Sequence, residues 1–268
     1  MLTENQISHF NVFGFLILKG LLTQDEVDLA NEEFDTGLAL AETHSERRGI
    51  RQQLNWTNLG PDSPFLGSLL EDARFLGNAS QLIGSDVVGH YANCNLFDGD
   101  RTEWHPDTPH LARRGVKLAF YLQPLDADSG ALRLIPGSHR DPFHSDIRKV
   151  SLKESNSGQI DADGLDIEEI PAYVATCEPG DVIAFDNRTW HASWGGKPNR
   201  RMCSTGYFAV PTSEADSDIV KQIAEDDAHL QDAFPMQRRN EHWVANEDES
   251  LVRQRWIEIL REYGFRGL

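Results

Sequence analysis

The chain of 268 residues carries a formal net charge of −18, and 39% of its residues are hydrophobic. This length and hydrophobic content are typical of one globular domain with a full core and exclude a disordered chain. The acidic balance makes nucleic acid and anionic membranes unsuitable partners, and we expect no membrane span and no signal peptide because neither pattern is present.

The N-terminal part has a helix–strand–helix pattern. Thr3, followed three residues later by Gln6, predicts the start of a short helix, and the apolar run FLILKGLL predicts a strand. The segment TQDEVDLANEEFDTGLALAE has an apolar period of 3.6 residues and an acidic first turn, which predicts a helix capped by Thr23. Residues 43–64 are polar and predict a loop that could serve as a lid, before a further helix in FLGSLLEDARFLGNASQLIG.

From about Val87 the pattern changes to short β-rich segments separated by Gly, Pro, Asn and Asp. They are VVGHYANCNLF, VKLAFYLQPL, ALRLIPGSH, YVATCEPG, DVIAFD and MCSTGYFAV. Many short strands without βαβ alternation predict an antiparallel barrel or sandwich. Residues 140–170 predict a polar excursion near its mouth, and DESLVRQRWIEILREYG predicts a helix. We therefore expect one domain over 1–268, with a helical part over about 1–86, a β core over about 87–212 and a helical tail over about 213–268.

The stretch EWHPDTPH contains His105 and Asp107, which are separated by one residue. In a strand, such residues face the same side about 7 Å apart, and at a strand end they can converge on one ion. Two histidines and one carboxylate on one face of an octahedron are the ligands of non-haem Fe(II) oxygenases. The pair therefore predicts a distant third ligand, for which His191, just after the strand DVIAFD, is the candidate. By itself the pair is more often an ordinary surface pair, and we interpret His110 as structural or substrate-facing.

Two arginines, Arg200 and Arg201, open the next predicted strand. A guanidinium at the mouth of a β-barrel can bind the far carboxylate of a dicarboxylate through two parallel hydrogen bonds. Successive side chains of a strand point to opposite faces, so only one of the two can point inward.

Five blocks of sequence, in this order, resemble the phytanoyl-CoA dioxygenase family of Fe(II)- and 2-oxoglutarate-dependent oxygenases over nearly the whole chain. The blocks are FNVFGFLILKGLLTQDEV, WHPD, SGALRLIPGSHR, EPGDVIAFDNRTWHAS and RRMCSTGYF. The resemblance implies a mainly β fold with flanking helices and a double-stranded β-helix core, the jelly roll of cupin-like proteins. Composition alone does not select this fold over other β architectures.

The resemblance also implies a catalytic centre in which His105, Asp107 and His191 hold Fe(II), with 2-oxoglutarate and O₂ as cosubstrates. For the arginine that binds 2-oxoglutarate, the motif favours Arg200, whereas the usual spacing from the distal histidine favours Arg201. Further cosubstrate contacts are implied for Ser193, Thr108 and Asn95, with structural hydrogen bonding as the alternative. Lys117 and Tyr121 share one face of their predicted strand and would line the pocket if that face points inward.

The activity implied is hydroxylation of an unactivated C–H bond with release of succinate and CO₂. Halogenating members of the family have a small residue in place of the carboxylate ligand, so the presence of Asp107 argues against halogenation. The acidic chain argues mildly against a CoA thioester, although Arg47, Arg48, Arg113 and Arg114 offer local positive charge. We expect a small metabolite or a specialised-metabolism intermediate as substrate.

Two alternatives share these motifs. The first is an oxygenase that desaturates or epoxidises its substrate, and the second is a cupin-like protein that binds a metal without catalysis. For the location, three cysteines without a CxxC pair favour the reducing cytoplasm over a disulfide scaffold. The oligomeric state is not predicted by any of these features.

Overall fold

The computed structural model describes residues 1–44, 53–99, 101–149, 169–233, 236 and 238–268. The strands are β1 (Phe15–Leu18), β2 (Gln53–Thr57), β3 (Val87–Phe97), β4 (Thr102–His105), β5 (Gly115–Tyr121), β6 (Arg133–Leu134), β7 (Tyr173–Val174), β8 (Val182–Asp186), β9 (His191–Ser193) and β10 (Arg200–Ala209). The helices are α1 (Glu4–Phe13), α2 (Gln24–His44), α3 (Pro64–Ser68), α4 (Ala73–Ile83), α5 (Phe143–Lys149), α6 (Glu214–Ala233), α7 (Glu241–Ala245) and α8 (Leu251–Glu262).

The strands form two antiparallel sheets. The larger has the order β1-β8-β5-β10-β3-β2, and the smaller has the order β4-β9-β6-β7. From β3 to β10 the chain passes back and forth between the two sheets, which is the connectivity of a jelly roll. This arrangement, with helices before and after it in the chain, confirms the predicted fold class.

Helices cover the outer face of the larger sheet. Phe34 of α2, Phe75 of α4 and Ile257 of α8 are fully buried in one apolar cluster with Leu118 of β5 and Cys203 of β10. The alternate residues of β5 and β10 face the other way, toward the smaller sheet. The larger sheet is therefore held on one side by helices, which leaves its inner face to shape a cavity.

Both predicted N-caps are confirmed. The Thr3 hydroxyl accepts a hydrogen bond from the Gln6 backbone N–H, and the Gln6 side chain accepts one from the Thr3 backbone N–H. Thr23 and Glu26 form the same reciprocal pair at the start of α2. These two caps satisfy N–H groups that a helix start otherwise leaves without a partner.

Two local predictions were wrong in detail. Residues 43–64 include a strand, β2, because Leu54 and Trp56 alternate with polar residues and β2 pairs with β3 at the sheet edge. The segment predicted as one helix is two, since the Asp72 side chain accepts from the Arg74 backbone N–H and starts a new helix at Ala73. The predicted excursion over 140–170 contains α5. Residues 45–52 of the proposed lid and 150–168 of the excursion lie outside the described residues.

The fold can also be compared with the expectations about membrane spans and about the cysteines. Across the described ranges, no helix has both the length and the apolar character needed to cross a bilayer. All three cysteines are buried and free.

Candidate metal centre

His105, Asp107 and His191 come together at one wall of the cavity. Their ligand atoms all lie within 4.8 Å of one another, and in the described part of the chain this is the one group of His, Cys, Asp and Glu that converges closely enough to hold an ion. His105 ends β4 and His191 begins β9, and the two residues are paired in the sheet register. As predicted, His191 follows the strand DVIAFD, which contains β8, and it also starts the short strand β9.

Backbone carbonyls orient both imidazoles. Nδ1 of His105 lies 2.7 Å from the Glu103 carbonyl oxygen, and Nδ1 of His191 lies 2.9 Å from the Thr189 carbonyl oxygen. A carbonyl only accepts, so each Nδ1 carries the hydrogen, and each Nε2 keeps its lone pair. This carbonyl–imidazole contact is the usual outer support of a metal-binding histidine.

The protonation states of the site are those of metal ligands. Burial, followed by the neighbouring His105 ring, lowers the pKa of His191 to about 3, so the His191 ring is neutral near pH 7. Burial raises the pKa of the Asp107 carboxyl, but the Lys117 ammonium and the two imidazoles outweigh it, and the pKa lies below its ordinary value. Lys117 Nζ is 3.3 Å from Asp107 Oδ2 and holds this carboxylate beside the two rings.

The Pro-Gly-Ser-His loop supports the segment that carries the distal histidine. The Ser138 hydroxyl accepts a hydrogen bond from the Trp190 backbone N–H at 2.9 Å, and the Thr189 hydroxyl donates to the Gly14 carbonyl at 3.0 Å. Gly14 has φ +85°, and a Cβ there would lie 2.6 Å from both His139 Nδ1 and Thr189 Oγ1. Two distant blocks of the sequence therefore fix the position of His191. His139 also fixes the loop through its contact with the Asn11 carbonyl oxygen.

The three residues face a cavity of about 490 Å³ between the two sheets. The floor of the cavity is the inner face of β3, β10 and β5, on which residues of neighbouring strands lie side by side in register. Phe97 lies opposite Arg200, Asn95 opposite Met202, Asn93 opposite Ser204, and Lys117 opposite Gly206. Arg200 and Phe97 therefore lie at one end of these strands, and Lys117 lies nearer the other end.

The structure separates the two arginines. The Arg200 side chain is on the cavity-facing side of β10, where its guanidinium stacks 4.3 Å from the Phe97 ring and donates to the Gly130 carbonyl. Arg201 points the opposite way, toward α2, and pairs with Asp35 at 2.7 Å. Only Arg200 is therefore directed toward the inside of the jelly roll.

The other predicted contact residues lie at the cavity surface, whereas Arg200 itself is only 2% exposed and does not line it. Ser193, Thr108, Asn95, Lys117 and Tyr121 all line it. Two of them have structural hydrogen bonds, because the Ser193 hydroxyl donates to Thr102 Oγ1 and the Thr108 hydroxyl accepts from the His110 backbone N–H. His110 is exposed and does not line the cavity.

Comparison with known proteins identifies the family to which this chain belongs. The sequence profile of the phytanoyl-CoA dioxygenase (PhyH) family matches residues 10–202. The chain belongs to the phytanoyl-CoA dioxygenase family. This membership confirms the resemblance found in the motifs and the expected class of enzyme, an iron- and 2-oxoglutarate-dependent dioxygenase.

Individual proteins similar to this chain have low sequence identity to it. An ectoine dioxygenase of Bordetella bronchiseptica is 28% identical over 215 residues, which cover 72% of this chain and 70% of the relative. The fold is similar to that of HygX from Streptomyces hygroscopicus, solved with nickel and 2-oxoglutarate, at a TM-score of 0.61 and 16% identity over 80% of this chain and 90% of HygX. It is also similar to EctD from S. alaskensis, solved with 2-oxoglutarate and 5-hydroxyectoine, at a TM-score of 0.58 and 22% identity over 78% of this chain and 77% of EctD.

Most of the residues that line the far end of the cavity were not predicted from the sequence. Arg239, Asp226 and Asp227 line it there, together with Arg113, which the sequence singled out only as part of a local basic patch. The i, i+3, i+4 spacing of Ile223, Asp226 and Asp227 on one helix indicates a shared face. Nothing in the sequence, however, indicated that this face would close the cavity.

The buried His90 at this end predicts an acid-sensitive fold. Burial lowers the pKa of His90 to about 4, with Asp227 opposing and Arg239 reinforcing the shift, while the unfolded chain titrates near its ordinary value of 6.5. Between these two values the unfolded state binds more protons, so stability falls as the pH is lowered. We expect His90 to remove about 2 kcal/mol of the free energy of unfolding between pH 7.5 and pH 5.

Urea denaturation of the native chain and of His90→Gln at the two pH values measures this effect. The variant is expected to lose about 2 kcal/mol less stability on acidification. Equal losses in the two proteins would contradict the predicted role, whatever the stability of the variant at pH 7.5.

Proposed function

We propose that this chain hydroxylates an unactivated C–H bond of a small metabolite, with Fe(II) held by His105, Asp107 and His191. The observation that carries the proposal is the convergence of three ligand atoms within 4.8 Å on a cavity wall. Two neutral imidazole nitrogens and a carboxylate form the donor set that suits Fe(II) and leaves open coordination positions. Fe(II) held by these residues would supply O₂ activation coupled to decarboxylation of 2-oxoglutarate to succinate and CO₂.

The residues of the chain bind, orient and shield the reactants. Arg200 provides the planar fork that pairs with the far carboxylate of 2-oxoglutarate, and its near-complete burial strengthens that charge-assisted contact. Ser193 and Asn95 line the cavity on the Arg200 side and offer polar contacts to the cosubstrate, and Thr108 offers one beside Asp107. Lys117 holds Asp107 in place. The enclosing sheets exclude bulk water from the reaction.

The substrate proposed is a compact metabolite. A cavity of about 490 Å³ is within the size range of small-ligand sites, and it must also hold 2-oxoglutarate. The relative from Bordetella bronchiseptica is named an ectoine dioxygenase, which makes ectoine the first compound to test. Nothing in this proposal requires a CoA thioester.

The test is a reaction of the Fe(II)-loaded protein with 2-oxoglutarate, isotope-labelled O₂ and a panel of small metabolites that includes ectoine. We expect substrate-stimulated succinate formation and a product heavier by one labelled oxygen atom. Desaturation would instead remove two hydrogens, and a non-catalytic metal-binding protein would form no succinate. Either result would overturn the proposed hydroxylation.

Chloride provides an independent check. Asp107 occupies the place where a halogenating member has a small residue, so no coordination position is offered to a halide. We expect the product of the native chain to stay hydroxylated, without chlorine, when the reaction is run in high chloride. Mass spectrometry of the product decides, and a chlorinated product from the native chain would contradict the assignment of Asp107.

A further inference from the structure

The cavity continues past the metal centre to a second, cationic end. This end is formed by the loop between β4 and β5, by α6 and by Arg239, which follows α6 in the chain. Arg113 and Arg239 line the cavity here, and each is only 6% exposed. None of the residues at this end is needed for the metal ligands or for the cosubstrate contacts described above.

Consecutive carboxylates of α6 anchor the two guanidinium groups. Nη1 of Arg113 donates to Asp226, and Nη1 of Arg239 donates to Asp227 at 2.9 Å and to the Arg266 carbonyl at 3.0 Å. Because Asp226 and Asp227 are neighbours on one helix, the two guanidinium groups are held at the same end of the cavity.

Both arginines leave the same edge unused. Among the residues that the structure describes, neither Nε nor Nη2 of Arg113 or Arg239 has a hydrogen-bond partner. Buried donors without a partner destabilise a fold, and more so when they carry charge. The Nε–Nη2 edge is also one of the two edges with which arginine binds a carboxylate or phosphate through two parallel hydrogen bonds. Two such edges in one cavity are the donor set of an anion site.

This end is distinct from the proposed 2-oxoglutarate site. Arg200 is the first residue of β10, whereas Gly115, two residues after Arg113, pairs with Phe208, eight positions further along β10 and about 26 Å away along the strand. Arg113 lies beyond Lys117 on the far side, two residues before Gly115, the first residue of β5. A single 2-oxoglutarate bound to the metal and Arg200 therefore cannot also reach Arg113 and Arg239.

The surroundings fit an organic anion better than a bare ion. Phe208, Ile223 and Leu230 line the cavity beside the arginines and offer apolar contact to the body of a ligand. His90 also lines this end, and its Nδ1 has no hydrogen-bond partner within the described ranges. A ligand with an apolar body and one anionic group would contact these apolar residues and offer a hydrogen-bond partner to His90 Nδ1.

We infer that Arg113 and Arg239 bind an anionic group, a carboxylate or a phosphate, of the primary substrate and so direct the rest of that molecule toward the metal centre. The inference rests on the proposed function, since it names the class of substrate for that site. It predicts that neutral compounds of the same shape are poor ligands.

The experiment compares three probes that share one phenyl ring: benzoate, phenyl phosphate and the neutral benzamide. Each is titrated calorimetrically into the anaerobic complex of the protein with Fe(II) and saturating 2-oxoglutarate, so that the Arg200 site is already filled. The proteins are the native chain, Arg113→Gln, Arg239→Gln and, as a matched control, Arg238→Gln, whose side chain is 57% exposed. Glutamine keeps much of the side-chain length and removes the charge.

We expect benzoate or phenyl phosphate to bind the native chain at least about tenfold more tightly than benzamide, and the better of the two identifies the preferred anion. Each of the two buried-arginine variants should lose this preference, and Arg238→Gln should keep it. If Arg239→Gln does not fold, the native probe comparison and Arg113→Gln still decide.

Equal binding of all three probes to the native chain, or a preference that persists in Arg113→Gln, would overturn the inference. Failure of the proposed function gives a different result. In that case the complex with Fe(II) and 2-oxoglutarate does not form, which titration of those two components shows before any probe is added.

Discussion

Replacing His105 or His191 by alanine is expected to abolish Fe(II) binding and turnover while the fold persists. Each substitution removes one of three ligands, and loss of an outer partner alone typically weakens metal binding about 10–100-fold, so we expect a loss of more than about 100-fold here. Calorimetric titration with Fe(II) under anaerobic conditions measures the affinity, and succinate formation measures turnover.

The control variant is His110→Ala. His110 belongs to the same stretch of sequence, but it is exposed and does not line the cavity. Its loss should leave both measurements unchanged, and circular dichroism should show the same fold in all variants. Full Fe(II) affinity and turnover in both His105→Ala and His191→Ala would remove the basis of the metal assignment.

Replacing Arg200 by alanine is expected to raise the KM for 2-oxoglutarate at least about thirtyfold. Removing one partner of a buried charge pair costs about 2–5 kcal/mol, and each 1.4 kcal/mol is a factor of ten in affinity. Arg200→Lys keeps the charge but not the planar fork, so an intermediate increase is expected. Steady-state kinetics with varied 2-oxoglutarate at saturating Fe(II) give the values.

The neighbouring Arg201 is the matched control. Its guanidinium pairs with Asp35 on the helical side of the sheet, so Arg201→Ala should change the KM for 2-oxoglutarate little. The reverse pattern would transfer the role to Arg201 and leave the family unchanged. If neither variant affects the use of 2-oxoglutarate, the proposed cosubstrate site is wrong.

The most local features were predictable because they depend on neighbours in the chain. The caps at Thr3 and Thr23 each depend on a partner three residues away, and the strands around Val116 and Ile183 appear directly as apolar runs. The edge strand β2 was missed because only Leu54 and Trp56 carry its pattern, and its formation depends on pairing with β3. A pattern of two residues is too short to distinguish from a loop.

The sequence by itself predicted the fold class and the candidate donor set through its resemblance to the phytanoyl-CoA dioxygenase family. Five blocks in a fixed order, which include His105, Asp107, His191 and the two arginines, implied the jelly roll and the candidate iron ligands. Side-chain chemistry and order along the chain are written in the sequence, so these predictions needed no coordinates.

Only the tertiary structure decided which arginine faces the cavity and what lies at its other end. Arg200 and Arg201 are adjacent, and their directions depend on which face of β10 packs against the helices. Arg113 and Arg239 are more than a hundred residues apart and meet through two neighbouring carboxylates of α6. The packing of α6 against the barrel mouth brings them together, because contacts between distant segments depend on how whole elements pack and not on any local pattern.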